Sequence, residues 1–216
     1  MKLFFAPRSR TVRLRWLLEE LGVPYELVRF DPQNPQAQEA LAVHPPGLVP
    51  TLVDGDLTLF EPSALCFVHL ADRFPEQHLA PPPGSAERGA YLHWLGFAEC
   101  VLEPAVMGFH RFGLLPPAQR SSAPEQEALA RLRPRLTAAL DFVDVGLSGR
   151  DFAVSGHFTA ADVLLSVLLH LANQQRLSPA HPPWPAPGEL IEGHPRLFDY
   201  LKRHTQRPAS IKAATT

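Results

Sequence analysis

The chain is poor in the features that usually betray a special environment. It has two cysteines, Cys66 and Cys100, both in apolar stretches of a 216-residue sequence. That excludes a disulfide framework and leaves free, buried thiols as the expectation. Charge of one sign is also lacking: 20 Lys and Arg against 22 Asp and Glu leave a formal net charge of −2. Neither nucleic acid nor an anionic membrane surface is indicated as a partner. No window reaches the ~18 consecutive apolar residues of a membrane-spanning helix. The opening Met1-Lys2-Leu3-Phe4-Phe5-Ala6-Pro7-Arg8 has too short an apolar run for a secretory leader. A cytoplasmic protein is the expectation.

What is present describes a globular chain. Hydrophobic residues make up 45% and charged residues 19%, enough for a sizeable core. The 24 prolines gather at Pro81-Pro82-Pro83, Pro116-Pro117 and Pro182-Pro183, where they read as boundaries between elements. Lys2-Leu3-Phe4-Phe5, closed by Pro7, reads as a buried strand. Val12, Leu14, Trp16, Leu17, Leu18 and Leu21 carry helical periodicity, and Gly22 with Pro24 supplies the stop. Tyr25 to Phe30 alternates like a half-buried strand, and Gln36 to Ala42 reads as a short helix. Ser63 opens a helix that runs to Phe74.

Between these lies Gly47 to Leu59, two short strands around Asp54-Gly55, residue types that tolerate positive φ in a tight hairpin. Pro50 begins the first of them and has no N–H to donate. A trans proline on an edge strand and a cis proline that frees the Val49 backbone for an extended ligand both fit the local sequence.

Pro75 to Gly84 is turn-like and reads as a linker, after which no strand pattern appears. Helices are expected over 87–113, 124–147, 159–177 and 195–204, with Pro134 either kinking the second or marking its start. The boundaries expected are therefore 1–78 for a small α/β domain and 86–216 for an all-helical one. Phe158-Thr159-Ala160-Ala161-Asp162-Val163 carries a capping box, with Thr159 as N-cap and Asp162 at N3. Its expected role is folding, and Asp162 is assigned no chemistry.

Taken together, these motifs resemble a family. The N-terminal strand, the Ser/Arg loop, a helix ending Leu-Glu-Glu-Leu-Gly-Val-Pro-Tyr-Glu, Val49-Pro50-Thr51-Leu52, Ser63 with its helix ending Leu70-Ala71-Asp72-Arg73-Phe74-Pro75, and Phe158-Thr159-Ala160-Ala161-Asp162 fall in the order of the cytosolic glutathione S-transferases. The likeness is to bacterial, serine-type or theta/beta-like members. It implies a thioredoxin-like α/β domain followed by an all-α helical bundle, usually as a homodimer, with glutathione as co-substrate and no metal. It also implies that Pro50 is cis. Carried over, the Val49 backbone pairs with the cysteinyl backbone of glutathione, Ser63 holds the γ-glutamyl carboxylate, and Glu61 receives the γ-glutamyl ammonium. A serine directly after the acidic residue is usual, whereas here Pro62 intervenes. Leu48 stands where relatives often place a lysine for the glycyl carboxylate, so His44 is the first replacement, with Arg8, Arg10 and Arg13 behind it.

The chemistry implied is activation of a thiol. An unperturbed cysteine thiol has a pKa of about 8.5. One hydrogen bond to the anion, worth about 1.5–3 kcal/mol, lowers that by roughly 1–2 units. Tyrosine and cysteine are both absent between Met1 and Gly22, so neither can donate from the first loop. Ser9 is the leading donor and Thr11 the second; a backbone amide, or no donor, stays open. Without a loop cysteine, the thiol-transferring branch of the family is disfavoured. The expected function is thiolate attack on a small apolar electrophile, by conjugation or by hydroperoxide reduction. The alternative is a non-catalytic relative acting as a binding or regulatory protein.

Overall fold

A computed structural model describes residues 1–7, 9–30, 42, 48–61, 63–115, 117–154, 156–173, 191 and 193–215. The chain forms two compact units, Met1–Gly89 together with Thr205–Thr216, and Ala90–His204.

The first unit is built on a four-stranded sheet in the order β2-β1-β3-β4. Strand β1 (Lys2–Phe5) pairs in parallel with β2 (Glu26–Arg29), with Leu3 opposite Leu27, and antiparallel with β3 (Thr51–Asp54), with Leu3 opposite Leu52. Strand β4 (Leu57–Leu59) closes the hairpin on β3. Gly55 at its tip has φ 62°, which only glycine adopts at little cost.

Parallel β1 and β2 require a crossover, and helix α1 (Thr11–Leu21) provides it. Leu14, Leu17, Leu18 and Leu21 are buried on one side of α1, as their spacing demands. The helix stops at Gly22, whose left-handed backbone sends its N–H to the Glu19 carbonyl. Helix α2 (Ser63–Arg73) packs beside α1 and buries Cys66, Phe67 and Leu70. Asp54, at the end of β3, accepts from His69 Nε2 at 3.0 Å and pairs with Arg73. The hairpin is thereby tied to the helix that begins at Ser63.

The second unit is helical. Helix α3 (Ala86–Phe97) passes through a π turn at Ala98–Leu102 into α4 (Glu103–Leu114). A single turn at Pro117–Arg120 follows, then α5 (Ala123–Gly146), α6 (Ala160–Asn173) and α7 (Pro195–Thr205). Pro134 lies inside α5 and does not begin it. Helix α6 has no polar face over its first ten residues: Ala160 through Leu169 are all buried.

Asp162, wholly buried, is the hub of this unit. Its carboxylate accepts from the Ala153 N–H at 2.7 Å, the Thr159 N–H at 2.7 Å, the Thr159 hydroxyl at 2.9 Å and the Tyr200 hydroxyl at 2.6 Å. The expected capping box is therefore half right. Asp162 does reach back to the Thr159 amide, but the Thr159 hydroxyl donates to the carboxylate, and the Asp162 N–H goes to the Thr159 carbonyl at 3.0 Å.

Two expectations change. Cys66 is buried but Cys100, which lies in the π turn, is exposed. Beyond α7 the chain also forms α8 (Pro208–Ala214), which packs against α1. Arg207 grips Glu20 through both carboxylate oxygens at 2.6 and 2.7 Å, Lys212 reaches Glu19 at 2.6 Å, and Arg15 donates to the Ala213 carbonyl at 3.2 Å.

Packing in the helical unit supplies one direct test. A Cβ on Gly146 would sit 2.7 Å from two atoms of the Trp94 ring. Gly146→Ala is expected to destabilise the protein by about 1–3 kcal/mol through overpacking. Urea unfolding reads this as a lowered midpoint; an unmoved midpoint refutes the close approach.

Candidate active site

The first loop leaves β1 at Phe5 and enters α1 at Thr11. The first amides of a helix lack partners, and the aligned peptide dipoles give that end positive potential. Ser9 and Thr11 lie at this end. The Ser9 hydroxyl donates to the Ala6 carbonyl at 2.6 Å, and its oxygen accepts the Thr11 N–H at 3.3 Å. The two hydroxyls are 2.8 Å apart, so one donates to the other. Thr11 is buried and Ser9 only half-buried, which makes Ser9 the hydroxyl that a ligand can reach. The first-loop reading of the sequence therefore meets a coupled pair rather than two independent donors.

The Val49-Pro50 peptide is cis. Val49 precedes β3, which begins pairing with β1 at Thr51, and its side chain packs on the Phe4–Val28 cluster. The Thr51 hydroxyl donates to the Leu48 carbonyl at 2.8 Å, while the Leu48 side chain is 55% exposed. His44, Arg8 and Pro62 lie outside the described residues.

Glu61 and Ser63 are brought together with two arginines of the first loop and helix. Arg10 Nη1 lies 2.6 Å from Glu61 Oε2. The Ser63 hydroxyl faces Glu61 Oε1 at 3.4 Å and accepts from Arg13 Nη1 at 3.5 Å. Ser63 and Arg13 have no exposed surface. The order Arg10, Glu61, Ser63, Arg13 is thus a polar chain running from the surface into the unit, ending in a buried guanidinium.

Sequence reasoning missed this chain. In the sequence, Arg10 and Arg13 stand only as stand-ins for the lysine that Leu48 replaces. The spacing held a signal, because Arg10 and Arg13 are three apart and share a side of the helix start. Glu61 and Ser63, two apart at the start of α2, are their counterparts.

In the helical unit, Phe97, Val101, Leu132, Arg135 and Phe142 contribute to the lining of a cavity of about 530 Å³. The Phe97 and Phe142 rings lie 4.5 Å apart on its wall. Phe109 and Phe112, by contrast, are buried core.

Comparison with known proteins follows the same division of the chain. Residues 1–71 match the family model "Glutathione S-transferase, N-terminal domain", and residues 126–203 match "Glutathione S-transferase, C-terminal domain". The glutathione S-transferase GstA of Escherichia coli O157:H7 is 27% identical over 211 residues, 96% of this chain and 94% of that protein. A sphingomonad glutathione S-transferase solved with glutathione superposes with a TM-score of 0.79 at 28% identity, covering 99% of this chain and 97% of that one. The bacterial beta class glutathione S-transferase of Sphingomonas chungbukensis gives a TM-score of 0.76 at 25% identity over 99% and 97% of the two chains. With a thioredoxin-like sheet domain, a helical domain and matches across both, the chain belongs to the glutathione S-transferase family.

Proposed function

We propose that the protein is a glutathione transferase that ionises the glutathione thiol with the Ser9 hydroxyl and directs the thiolate at a small apolar electrophile. The general transferase activity goes with family membership. The observation that carries the finer reading is the Ser9–Thr11 pair at the start of α1, with Ser9 the reachable member. When thiolate arrives, Ser9 turns its proton from the Ala6 carbonyl to sulfur, and the Thr11 hydroxyl donates to the Ser9 oxygen. The helix terminus adds positive potential at the same place.

The remaining roles follow the first unit. The backbone at Val49, before cis Pro50, pairs with the cysteinyl backbone of glutathione. The start of α2 at Ser63 takes the γ-glutamyl carboxylate, with the covered Ser63 hydroxyl holding Glu61 in place and Glu61 facing the γ-glutamyl ammonium. His44 is the proposed partner of the glycyl carboxylate. Residues 86–216 are proposed to take the electrophile, a reading supported by the apolar cavity, whose volume lies in the range of small-molecule sites. Conjugation and hydroperoxide reduction both use this thiolate. A cytoplasmic homodimer completes the proposal.

A second reading has a specific observation behind it: Glu61 is already paired and Ser63 is covered, which favours a non-catalytic binding or regulatory protein. Retention on immobilised glutathione, with elution by free glutathione, is the expected result for the enzyme. Passage through the column, with no binding at millimolar glutathione, would decide for the second reading.

A further inference from the structure

We propose that Arg10 is a specificity-determining residue that competes with the γ-glutamyl ammonium of glutathione for the Glu61 carboxylate. The inference rests on the reading of Glu61 as the ammonium acceptor. It starts from three observations. The Arg10 guanidinium already holds Glu61 Oε2 at 2.6 Å. The Glu61 side chain is 19% exposed and the Arg10 side chain 39%, so the carboxylate is mostly covered while its arginine stands partly in water. Its other oxygen faces the Ser63 hydroxyl, behind which stands the buried Arg13 guanidinium.

A carboxylate placed in this way already has a cation on one oxygen before any ligand arrives. An ammonium that takes Oε2 exchanges one cation for another, and the net gain from that exchange is small. A charge-assisted hydrogen bond to an unpaired carboxylate would contribute far more. Arg10 therefore flattens the distinction that Glu61 would otherwise draw between ligands with and without the amino group. Because Arg10 is the residue after Ser9, it can yield Glu61 by a side-chain movement while the hydroxyl pair stays in place.

The test compares S-methylglutathione with its deaminated analogue, in which a glutaryl group replaces γ-glutamyl. Neither ligand has a thiol, so any influence of Arg10 on thiolate cancels. Dissociation constants by titration calorimetry are measured for the wild type, Arg10→Met, Arg10→Gln and Arg10→Lys. The wild type is expected to bind the two ligands within about threefold, and Met or Gln to open a preference of about tenfold or more for the ammonium-bearing ligand. Lys, which keeps the charge, should restore the wild-type ratio. The proposal is overturned if the neutral variants give the same ratio as the wild type, whatever its size. If S-methylglutathione binds none of the four proteins at millimolar concentration, the glutathione-site reading falls and takes this one with it.

Discussion

Asp162→Ala is expected to destabilise the protein by about 3–5 kcal/mol, the cost of breaking a buried, hydrogen-bonded charge network. Four donors converge on the Asp162 carboxylate, from Ala153, Thr159 twice and Tyr200. Truncation strands all four in a site closed to solvent, and each buried unsatisfied group costs about 1–3 kcal/mol before relaxation. The network also joins three segments: the turn before α6, the first turn of α6, and α7. Chemical denaturation should show a fall in midpoint with far-UV signal retained at zero denaturant. A loss under 1 kcal/mol would refute the hub.

The pH dependence of that difference has a definite sign. Burial pushes the Asp162 carboxyl above the usual carboxylate range, against the pull of Tyr200, Ala153 and Thr159. The folded chain then holds this proton more tightly than the unfolded one. The resulting stability is fully present below the unfolded value, about 3.9, and is lost as pH rises through the folded value. The wild type's advantage over Asp162→Ala should accordingly be widest in acid and narrow towards neutrality.

Ser9→Ala is expected to move the pH of half-maximal conjugation upward by roughly 1–2 units, which is the loss of one donor to a thiolate. Around neutral pH this appears as a fall in kcat/KM of roughly ten- to a hundredfold, with recovery in alkali. Recovery separates thiol ionisation from misfolding, which alkali does not repair. Thr11→Val should give a smaller shift in the same direction, because Thr11 acts on Ser9 rather than on sulfur. An unmoved profile for Ser9→Ala with conjugation intact removes Ser9 from the donor role.

The parts of the fold legible in the sequence were those written in local chemistry. The Gly22 stop, the Asp54-Gly55 turn and the apolar stripe of α1 each depend on residues within one or two turns of one another. The family likeness then placed them in order and anticipated the cis peptide at Pro50. What was not legible depends on distant partners. Arg13 meets Ser63 across 50 residues of sequence, and its spacing from Arg10 marks a shared side of the helix but not that the guanidinium is covered. The Arg10–Glu61 pair has the same character. Cys100 has apolar neighbours, which suggest burial, yet it is exposed within the π turn, an element that has no local sequence mark. Helix α8 has too little periodicity in seven residues to stand out; its packing on α1, with the ion pairs of Arg207 and Lys212, depends on partners far away in sequence.

Those ion pairs also bear on how the protein is made. Helix α1 carries the hydroxyl pair at one end and Glu19 and Glu20 at the other. Arg207 leaves the ribosome 187 residues after its partner Glu20, and Lys212 follows it. Domains tend to fold as units from the N-terminus during synthesis. Until residue 212 has been made, Glu19 and Glu20 lack these cations and hold only their local donors, Tyr25 and Trp16. The helix that begins at the Ser9–Thr11 pair is therefore fully secured only once residues 207–212 have been made.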